Sequence, residues 1–411
     1  MNRKQLLILL VLLVVVGGAG LWLRRNQNAS WDKGDTDVGK KLLGDLPVND
    51  IASVTFKQGT NELSLVKKPD LWRVSERNDY PANFSELDDF LVKVHDLKII
   101  QSQKVGASQL PRLALAPGSG TNAALVIDFK DHNGKPLRSL LLGKEHMKKS
   151  ARPSPMGEED GWPDGRWVKV GTDSDTVDLI AESLSNIEPK PDAWLNKDFF
   201  KAEKVRAIDV DSPIATNSWK VTRDSESGDW KLADAKAGEE LDSSKTSGLS
   251  SAFSSPSFND VVVNSKPEQL GLDKPTVVKV DTFDNFTYTL KVGQKTNDAF
   301  PLTLTVSAQL PKERTPVKDE KPDDKAKADK AFKDTQKALE DKLAREKGYE
   351  NWVYLVSSWT VDSVLKDRGQ LLVEKKEEPK KEDKAASAQP VSSTTNAPAD
   401  SLHSASAAEA K

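Results

Sequence analysis

Histidine is the side chain best suited to moving protons or holding a metal near neutral pH, and this chain has four: His95, His132, His146 and His403. None belongs to an HExxH or H-x-H spacing, so no single helix or strand presents a pair to one ion. Two acidic runs, Asp88-Asp89 and Glu158-Glu159-Asp160, could attract a cation. Neither alternates as a calcium loop does, and a solvated acidic face accounts for both. Gly118-Ser119-Gly120 and Gly143-Lys144 lack the spacing of a phosphate-cradling loop. No G-x-S-x-G elbow is present, and no serine has an identifiable base. With no cysteine in 411 residues, thiol catalysis, disulfides and Cys-ligated metals are excluded, as is a lipid-modified cysteine anchor. The expectation is a protein that is not an enzyme and takes no cofactor and no metal.

Aromatic faces offer a different chemistry, because an indole can stack on a sugar or anchor a protein contact, and the chain has ten tryptophans. Four of them fall in a repeated order. Leu71-Trp72-Arg73-Val74 is followed by Leu140-Leu141-Leu142-Gly143-Lys144, by Arg166-Trp167-Val168-Lys169-Val170 and by Thr176-Val177-Asp178. The second half answers with Asp229-Trp230-Lys231-Leu232, with Tyr288 to Lys295, with Asn351-Trp352-Val353-Tyr354-Leu355 and with Thr360-Val361-Asp362. A unit of well over a hundred residues is too long for a solenoid repeat, so the order implies two tandem domains. Equivalent positions in two copies of a fold imply core roles for Trp72, Trp230, Trp167 and Trp352. Trp31 and Trp162 stand outside the repeat and are the better candidates for partner contact.

The elements that must carry these residues are mostly strands. Ile51 to Phe56 and Glu62 to Val66 alternate, as half-buried strands do. Asn83 followed by Glu86 resembles a capping box, with Phe84, Leu87, Leu91 and Val94 on one helical face. Strands are expected near 98–105, 124–130 and 137–142, the last two joined by a turn centred on Asn133-Gly134. The Trp167 strand leads to a helix expected to carry Val177, Ile180, Ala181 and Leu184 on one face. In the second half strands are expected at 205–210, 218–222, 277–283, 286–292 and 302–306, with a poor, Ser- and Gly-rich helix after Asp242 anchored by Leu249 and Phe253. A charged insertion at 311–350 stands where the first half has the loop 146–165. It should form a surface helix ending at Gly348, with Phe332, Leu339 and Leu343 laid on the domain or on a partner. The fold class is α+β, sheet-rich and doubled: a first unit over 46–200, a second over 201–372 and a disordered tail over 373–411.

The first residues set the compartment. Leu6 to Leu23 is an uncharged run between Arg3-Lys4 and Arg24-Arg25. At 1.5 Å per residue it reaches roughly 27 Å, close to the ~30 Å of a hydrocarbon core. A retained transmembrane signal anchor at 1–25 is expected, then a tether over 26–45, with the bulk of the chain outside a bacterial inner membrane. A net charge of -3, from 60 basic and 63 acidic residues, gives no footprint for nucleic acid.

Taken in order, the membrane run, Val54-Thr55-Phe56, Leu63-Ser64-Leu65-Val66-Lys67, Trp72-Arg73-Val74, the Asn83-capped helix, Leu140 with Gly143, Trp167-Val168-Lys169-Val170 and the Thr-Val-Asp segment resemble the domain of unknown function 4340 family, over about residues 1–370. The chain departs from that pattern in the 311–350 insertion, in its long tail, and in having Leu113-Ala114-Leu115 where a tyrosine or glycine, as in Leu270-Gly271-Leu272, is expected. The resemblance implies a membrane-anchored envelope protein whose genes accompany ABC exporter components of the gliding-motility type. It implies a non-enzymatic accessory or scaffold subunit, with permease or ATPase components and the membrane as partners. The alternative is a cell-wall or envelope-matrix binding protein independent of any transporter; an envelope hydrolase is the least favoured class.

Overall fold

The computed structural model describes residues 37–374, apart from 70, 117, 119–122, 149–161, 173 and 317–319. The expected membrane run, most of the tether, Trp31, and the tail beyond 374 lie outside the described residues. Among those described, no helix is long and apolar enough to cross a membrane.

Alternation builds the first sheet. In β1 (Ser53–Gln58) Val54 and Phe56 are buried, and in β2 (Asn61–Lys67) Leu63 and Leu65 are; one face therefore meets a core. β3 (Trp72–Val74), β4 (Tyr80–Pro81), α1 (Phe84–Asp96), β5 (Ile99–Lys104), β6 (Leu125–Lys130), β7 (Pro136–Lys148), β8 (Trp162–Val170) and β9 (Thr176–Ile180) complete this half. The nine strands pair antiparallel in the order β4-β3-β2-β1-β6-β7-β8-β9-β5.

Helix α1 starts at the expected cap. Asn83 Oδ1 accepts from Glu86 N–H at 3.4 Å, and Asn83 Nδ2 donates to Glu86 Oε2 at 3.3 Å. Leu87, Phe90, Leu91 and Val94 form its buried face. Phe84, expected on that face, is 58% exposed. Trp194 occupies the core at that end, its carbonyl accepting from Asn83 N–H at 2.8 Å and its ring lying 6.0 Å from Phe90.

The second half contains β10 (Val205–Asp211), β11 (Trp219–Thr222), β12 (Lys231–Leu232), α2 (Ser243–Thr246), β13 (Asp260–Val261), β14 (Thr276–Thr282), β15 (Phe286–Val292), β16 (Ala299–Ala308), α3 (Pro322–Lys347), β17 (Tyr354–Ser357) and α4 (Ser358–Val361). Its sheet runs β12-β11-β10-β14-β15-β16-β17-β13, again antiparallel. Ranked by chain order within each half, and leaving out β4, both sheets read 3-2-1-5-6-7-8-4.

Two of the four sequence landmarks do not match by that ranking. The helix expected over 177–184 is absent: Thr176–Ile180 is β9, paired with β5 and β8. Its residues from Val177 to Ile180 are all buried, Asp178 through a 2.6 Å hydrogen bond accepted from Ser102 Oγ, so the strand is covered on both faces and its burial has no helical period. Thr360 and Val361 are instead in α4, and the counterpart of β9 is β17. Trp167 is on the seventh-ranked strand of its half, whereas Trp352 precedes the eighth. The insertion also has a different counterpart. It joins β16 to β17, which matches the short β8–β9 connection rather than the loop 146–165.

The glycine landmark does match. Gly143 on β7 and Gly293 just after β15 each lie under the end of a 3-10 turn, Ala107–Leu113 and Pro267–Leu270. A Cβ on Gly143 would stand 2.3 Å from Leu113 O, and one on Gly293 would stand 2.1 Å from Leu270 O. Only a residue without Cβ allows that approach. Both turns end on a left-handed residue, Ala114 at φ 52 and Gly271 at φ 66.

The segment joining the halves is buried. Trp194 and Leu195 belong to the first core, bridged to β4 through Ala82. Phe199 lies 4.6 Å from Tyr354, and Phe200 lies 5.6 Å from Tyr288, so both enter the second. With core side chains this close on either side, the joint does not act as a loose linker, and both halves fall in one compact unit ending at Leu372.

Candidate functional site

Among the described residues no group of three or more acidic or histidine side chains could hold a metal. His146 Nδ1 lies 2.6 Å from Asp164 Oδ1, and its ring is edge-on to Trp167. A His–Asp pair orients an imidazole, and no hydroxyl among the described residues bonds to this ring. His95 is shared between Lys41 and Asp96 at the surface.

An open groove of about 790 Å³ lies in the second half. One wall is the β11–β12 connection from Arg223 to Leu232, and the other is α2 with the 3-10 turn Ser247–Ser251. Asp242 caps α2, its Oδ1 accepting from Ser244 N–H at 2.9 Å, while Leu249 and Phe253 are buried as the sequence implies. Serine and glycine fill the rest of that segment, and they are too small and too poor at forming helix to cover the sheet. The cavity is what that shortfall leaves.

Trp230 and Arg223 organise the groove. The guanidinium carbon of Arg223 lies 4.9 Å from the Trp230 ring, a cation–π distance. Arg223 Nε donates to Val205 O at 2.7 Å, and its Nη1 donates to Glu226 O and to Ser250 Oγ. Trp230 Nε1 donates to the same Ser250 Oγ at 3.3 Å. Burial pushes the Arg223 pKa down from its usual value. On the third side Arg368 grips the loop that lines the groove. Its Nη1 donates to Asp234 Oδ2 at 2.7 Å and its Nη2 to Glu239 Oε2 at 2.7 Å. Glu240, Ser243 and Ser247 remain exposed on the lining. An indole framed by a guanidinium, a carboxylate and hydroxyls can bind a polar ligand; it holds no activated nucleophile.

The core roles expected for four tryptophans hold fully for Trp72 alone. Trp352 packs half-buried on the main core, edge-on to Tyr80 at 4.9 Å. Trp167 joins a satellite cluster with Leu115, Leu141 and Val177, and Trp230 is half-exposed in the groove. The large buried indoles are Trp194 and Trp219. The signal for Trp230 was available, since a helix anchored only by Leu249 and Phe253 cannot bury it.

The expected contact residues are dispersed. Trp162 opens β8 rather than sitting in a loop, and it is 57% exposed. Phe332 is half-buried on α3, and Leu339 and Leu343 pack on the main core where α3 crosses β16. That helix ends at Gly348 as expected, with Gly348 as its C-cap at φ -59, and the chain continues as a 3-10 turn to Asn351.

A second feature spans the halves. Arg77, after β3, donates from Nε to Asp260 Oδ1 at 2.6 Å and from Nη2 to Asp260 Oδ2 at 2.8 Å. Tyr80 lies edge-on to Phe258, Trp352 and Tyr354 behind that ion pair. Lys197 Nζ donates to Asn259 O at 2.6 Å beside it.

No curated protein and no solved structure matches the chain. Residues 156–275 match the family described as Domain of unknown function (DUF4340). The matched stretch runs from β8 and β9 through the buried joint to the 3-10 turn Pro267–Leu270, so it contains the groove and one partner of the Arg77–Asp260 pair. Over that stretch, less than a third of the chain, the protein is similar to the domain of unknown function 4340 family.

Proposed function

We propose that this protein is a non-enzymatic, membrane-anchored, extracytoplasmic accessory or scaffold subunit of an ABC-type envelope transport complex. The observation that carries the reading is the closed seam between the halves. Small-molecule sites favour the interface between domains. Here that position is filled by Tyr80, Phe258, Trp352 and Tyr354 and latched by Arg77 and Asp260. Outer surface is what remains to act. On this reading Leu6 to Leu23 is a single-pass anchor in a bacterial inner membrane, and the rest of the chain is periplasmic. The partners are permease or ATPase components. We further read the two sheets as tandem copies of one α+β fold; shared strand order and the paired glycine–carbonyl contacts support it. Gentle crosslinking in cells, followed by purification of the full chain, is expected to recover a permease or ATPase subunit. Repeated absence of both from a membrane-bound preparation sinks the transporter reading, and recovery of the chain in the soluble fraction sinks the anchor.

The Trp230 groove favours a second reading, in which the chain binds cell wall or envelope matrix without a transporter. An indole beside Arg223, Glu240 and serine hydroxyls suits a glycan-type ligand. Retention of the full chain on purified peptidoglycan, lost in Trp230→Ala, supports that reading. Equal retention of the two proteins, or of neither, removes it.

A further inference from the structure

Helix α3 buries one of its residues, Glu346, and that residue reaches the joint between the halves. Both backbone groups of Lys201 are held there. Its N–H donates to Glu346 Oε1 at 3.0 Å, and its carbonyl accepts from Lys342 Nζ at 2.7 Å. The same carbonyl lies 3.0 Å from the Tyr288 hydroxyl, which is also 2.8 Å from Glu346 Oε2. Lys342 Nζ stands 4.0 Å from Glu346 Oε1, over the Phe286 ring at 5.3 Å. The phenol and the ammonium thus each stand between two acceptors, the Lys201 carbonyl and the Glu346 carboxyl. Asp198 and Glu203 from the joint, the Lys201 side chain, Arg345 from α3 and Tyr349 from the following turn line the same cleft. Glu203 Oε2 also lies 3.5 Å from Lys342 Nζ, and Asp284 is within electrostatic reach of Tyr288. Phe199 and Phe200 carry the joint into the second core, and Ala202 N–H donates to Phe253 O at 2.8 Å.

We propose that Glu346 is a proton-operated clamp by which α3 holds the joint. When Glu346 is protonated, its O–H donates to Tyr288 Oη. The phenol proton and the Lys342 ammonium then both serve the Lys201 carbonyl, and every acceptor has a donor. When Glu346 gives its proton to solvent it becomes acceptor-only and draws both donors away. The phenol proton turns to Oε2, and Lys342 Nζ closes its 4.0 Å gap to Oε1. The Lys201 carbonyl is left without either, and the joint opens more often. Burial is the largest influence on Glu346 and pushes its pKa up, opposed by the Tyr288 and Lys201 hydrogen bonds and by the charges of Lys342 and Arg345. The clamp is therefore closed at low pH and released as pH rises through that raised value.

Hydrogen exchange of the full chain, read by mass spectrometry from pH 5 to pH 9, tests the clamp. Rates are divided by the intrinsic amide rate at each pH, which removes the ordinary rise of exchange with pH. Protection of residues 200–203 in the parent is expected to fall about tenfold across the range, while β1 stays level. Glu346→Gln cannot ionise, and its amide can donate to Tyr288 and accept from Lys201 N–H, so protection should stay level. Lys342→Met removes the cation that favours ionisation, so the fall should move to higher pH. Level protection in the parent overturns the clamp, as does an equal fall in Glu346→Gln or an unmoved fall in Lys342→Met. Carboxyl NMR of Glu346 in the parent gives a check that does not depend on either variant folding. Its titration midpoint should coincide with the loss of protection, and a separate midpoint also overturns the proposal.

Discussion

Replacing Gly293 by alanine tests both the packing and the pairing of the halves. The new Cβ would lie 2.1 Å from Leu270 O, where ordinary contact begins near 3.4 Å, so the carbonyl must retreat by about 1.3 Å. That carbonyl accepts from Gln294 N–H at 3.0 Å, and the retreat weakens the bond. Overpacking costs about 1–3 kcal/mol and the weakened hydrogen bond about 0.5–1.5, against a gain of about 0.4–1 from a stiffer unfolded chain. The net loss spans about 0.5–4 kcal/mol and centres on roughly 2–3. With about 2.1 cal/mol/K of unfolding entropy per residue over some 330 residues, the melting temperature should fall by about 3–4 °C if the unit unfolds together. Gly143→Ala meets Leu113 O at 2.3 Å and the Leu115 side chain at 2.7 Å, and it should cost a similar amount. Ala114→Gly is the control. It relieves a left-handed alanine, worth about 1–2 kcal/mol, but loosens the unfolded chain by about 0.4–1, so it should be neutral to slightly stabilising. Calorimetry and urea denaturation of the three variants decide it. Losses under 0.5 kcal/mol for either glycine refute the close approach, and a large loss in one half with none in the other refutes the equivalence.

Three further outcomes follow from charged groups. Arg77→Ala leaves Asp260, 24% exposed, without its bidentate partner; between a surface pair and a buried one this costs about 1–3 kcal/mol. Urea unfolding should then split into two steps as the seam loosens, and a single unshifted transition would count against the latch. Glu346 is buried: its Oε1 accepts from Lys201 N–H at 3.0 Å, and its Oε2 lies 2.8 Å from the Tyr288 hydroxyl, which also lies 3.0 Å from Lys201 O. One phenol proton cannot serve two acceptors well, whereas a protonated Glu346 completes the chain, and burial raises its pKa accordingly. A raised carboxyl pKa gives stability that is full below the unfolded value of about 4.3 and is lost as pH rises through the folded value. Glu346→Gln should therefore match or exceed the parent at pH 7.5 and lose that advantage at pH 4.5; an equal gap at both pH values refutes this. Glu239 has the opposite sign. The Arg368 guanidinium, helped by Lys236 N–H, holds its carboxyl down to about 2. Its contribution is present above about 4.3 and lost as pH falls toward 2. In Arg368→Ala an NMR titration should return Glu239 to the ordinary carboxylate range, and a value that stays near 2 would show that Arg368 is not the cause.

Strands that alternate over one core, such as β1, β2, β14 and β15, were legible from their spacing, and so was the Asn83 cap. The family was legible too, from motifs that prove to be structural. What could not be read was covered on two sides. β9 is buried on both faces, Asp178 included, so burial along it has no period, and Thr176-Val177-Asp178 resembled Thr360-Val361-Asp362 while forming a different element. Ala114 hid a left-handed turn that Gly271 advertised. Long-range pairs such as Arg77 with Asp260, 183 residues apart, have no local signature at all. Trp230 was misjudged because equivalence with Trp72 was taken to fix burial, which depends on what lies above the strand.

That difference explains how two sheets of the same strand order come to differ in their cover. In the first half α1 is 13 residues long and lays Leu87, Phe90, Leu91 and Val94 on the sheet, which leaves Trp72 buried. In the second half four residues of α2 and a 3-10 turn bring Leu249 and Phe253 to the core and stop short of Trp230. The strands beneath keep the same order, so the sheet's own contacts do not depend on the missing turns. Stability is then held by the main core and the glycine–carbonyl approaches. The groove lining at Glu240, Ser243 and Ser247 is exposed, so its residues can change without loss of core packing. A surface that can change without unsettling its support is what the contact role proposed above requires, and the groove beside Trp230 has that character.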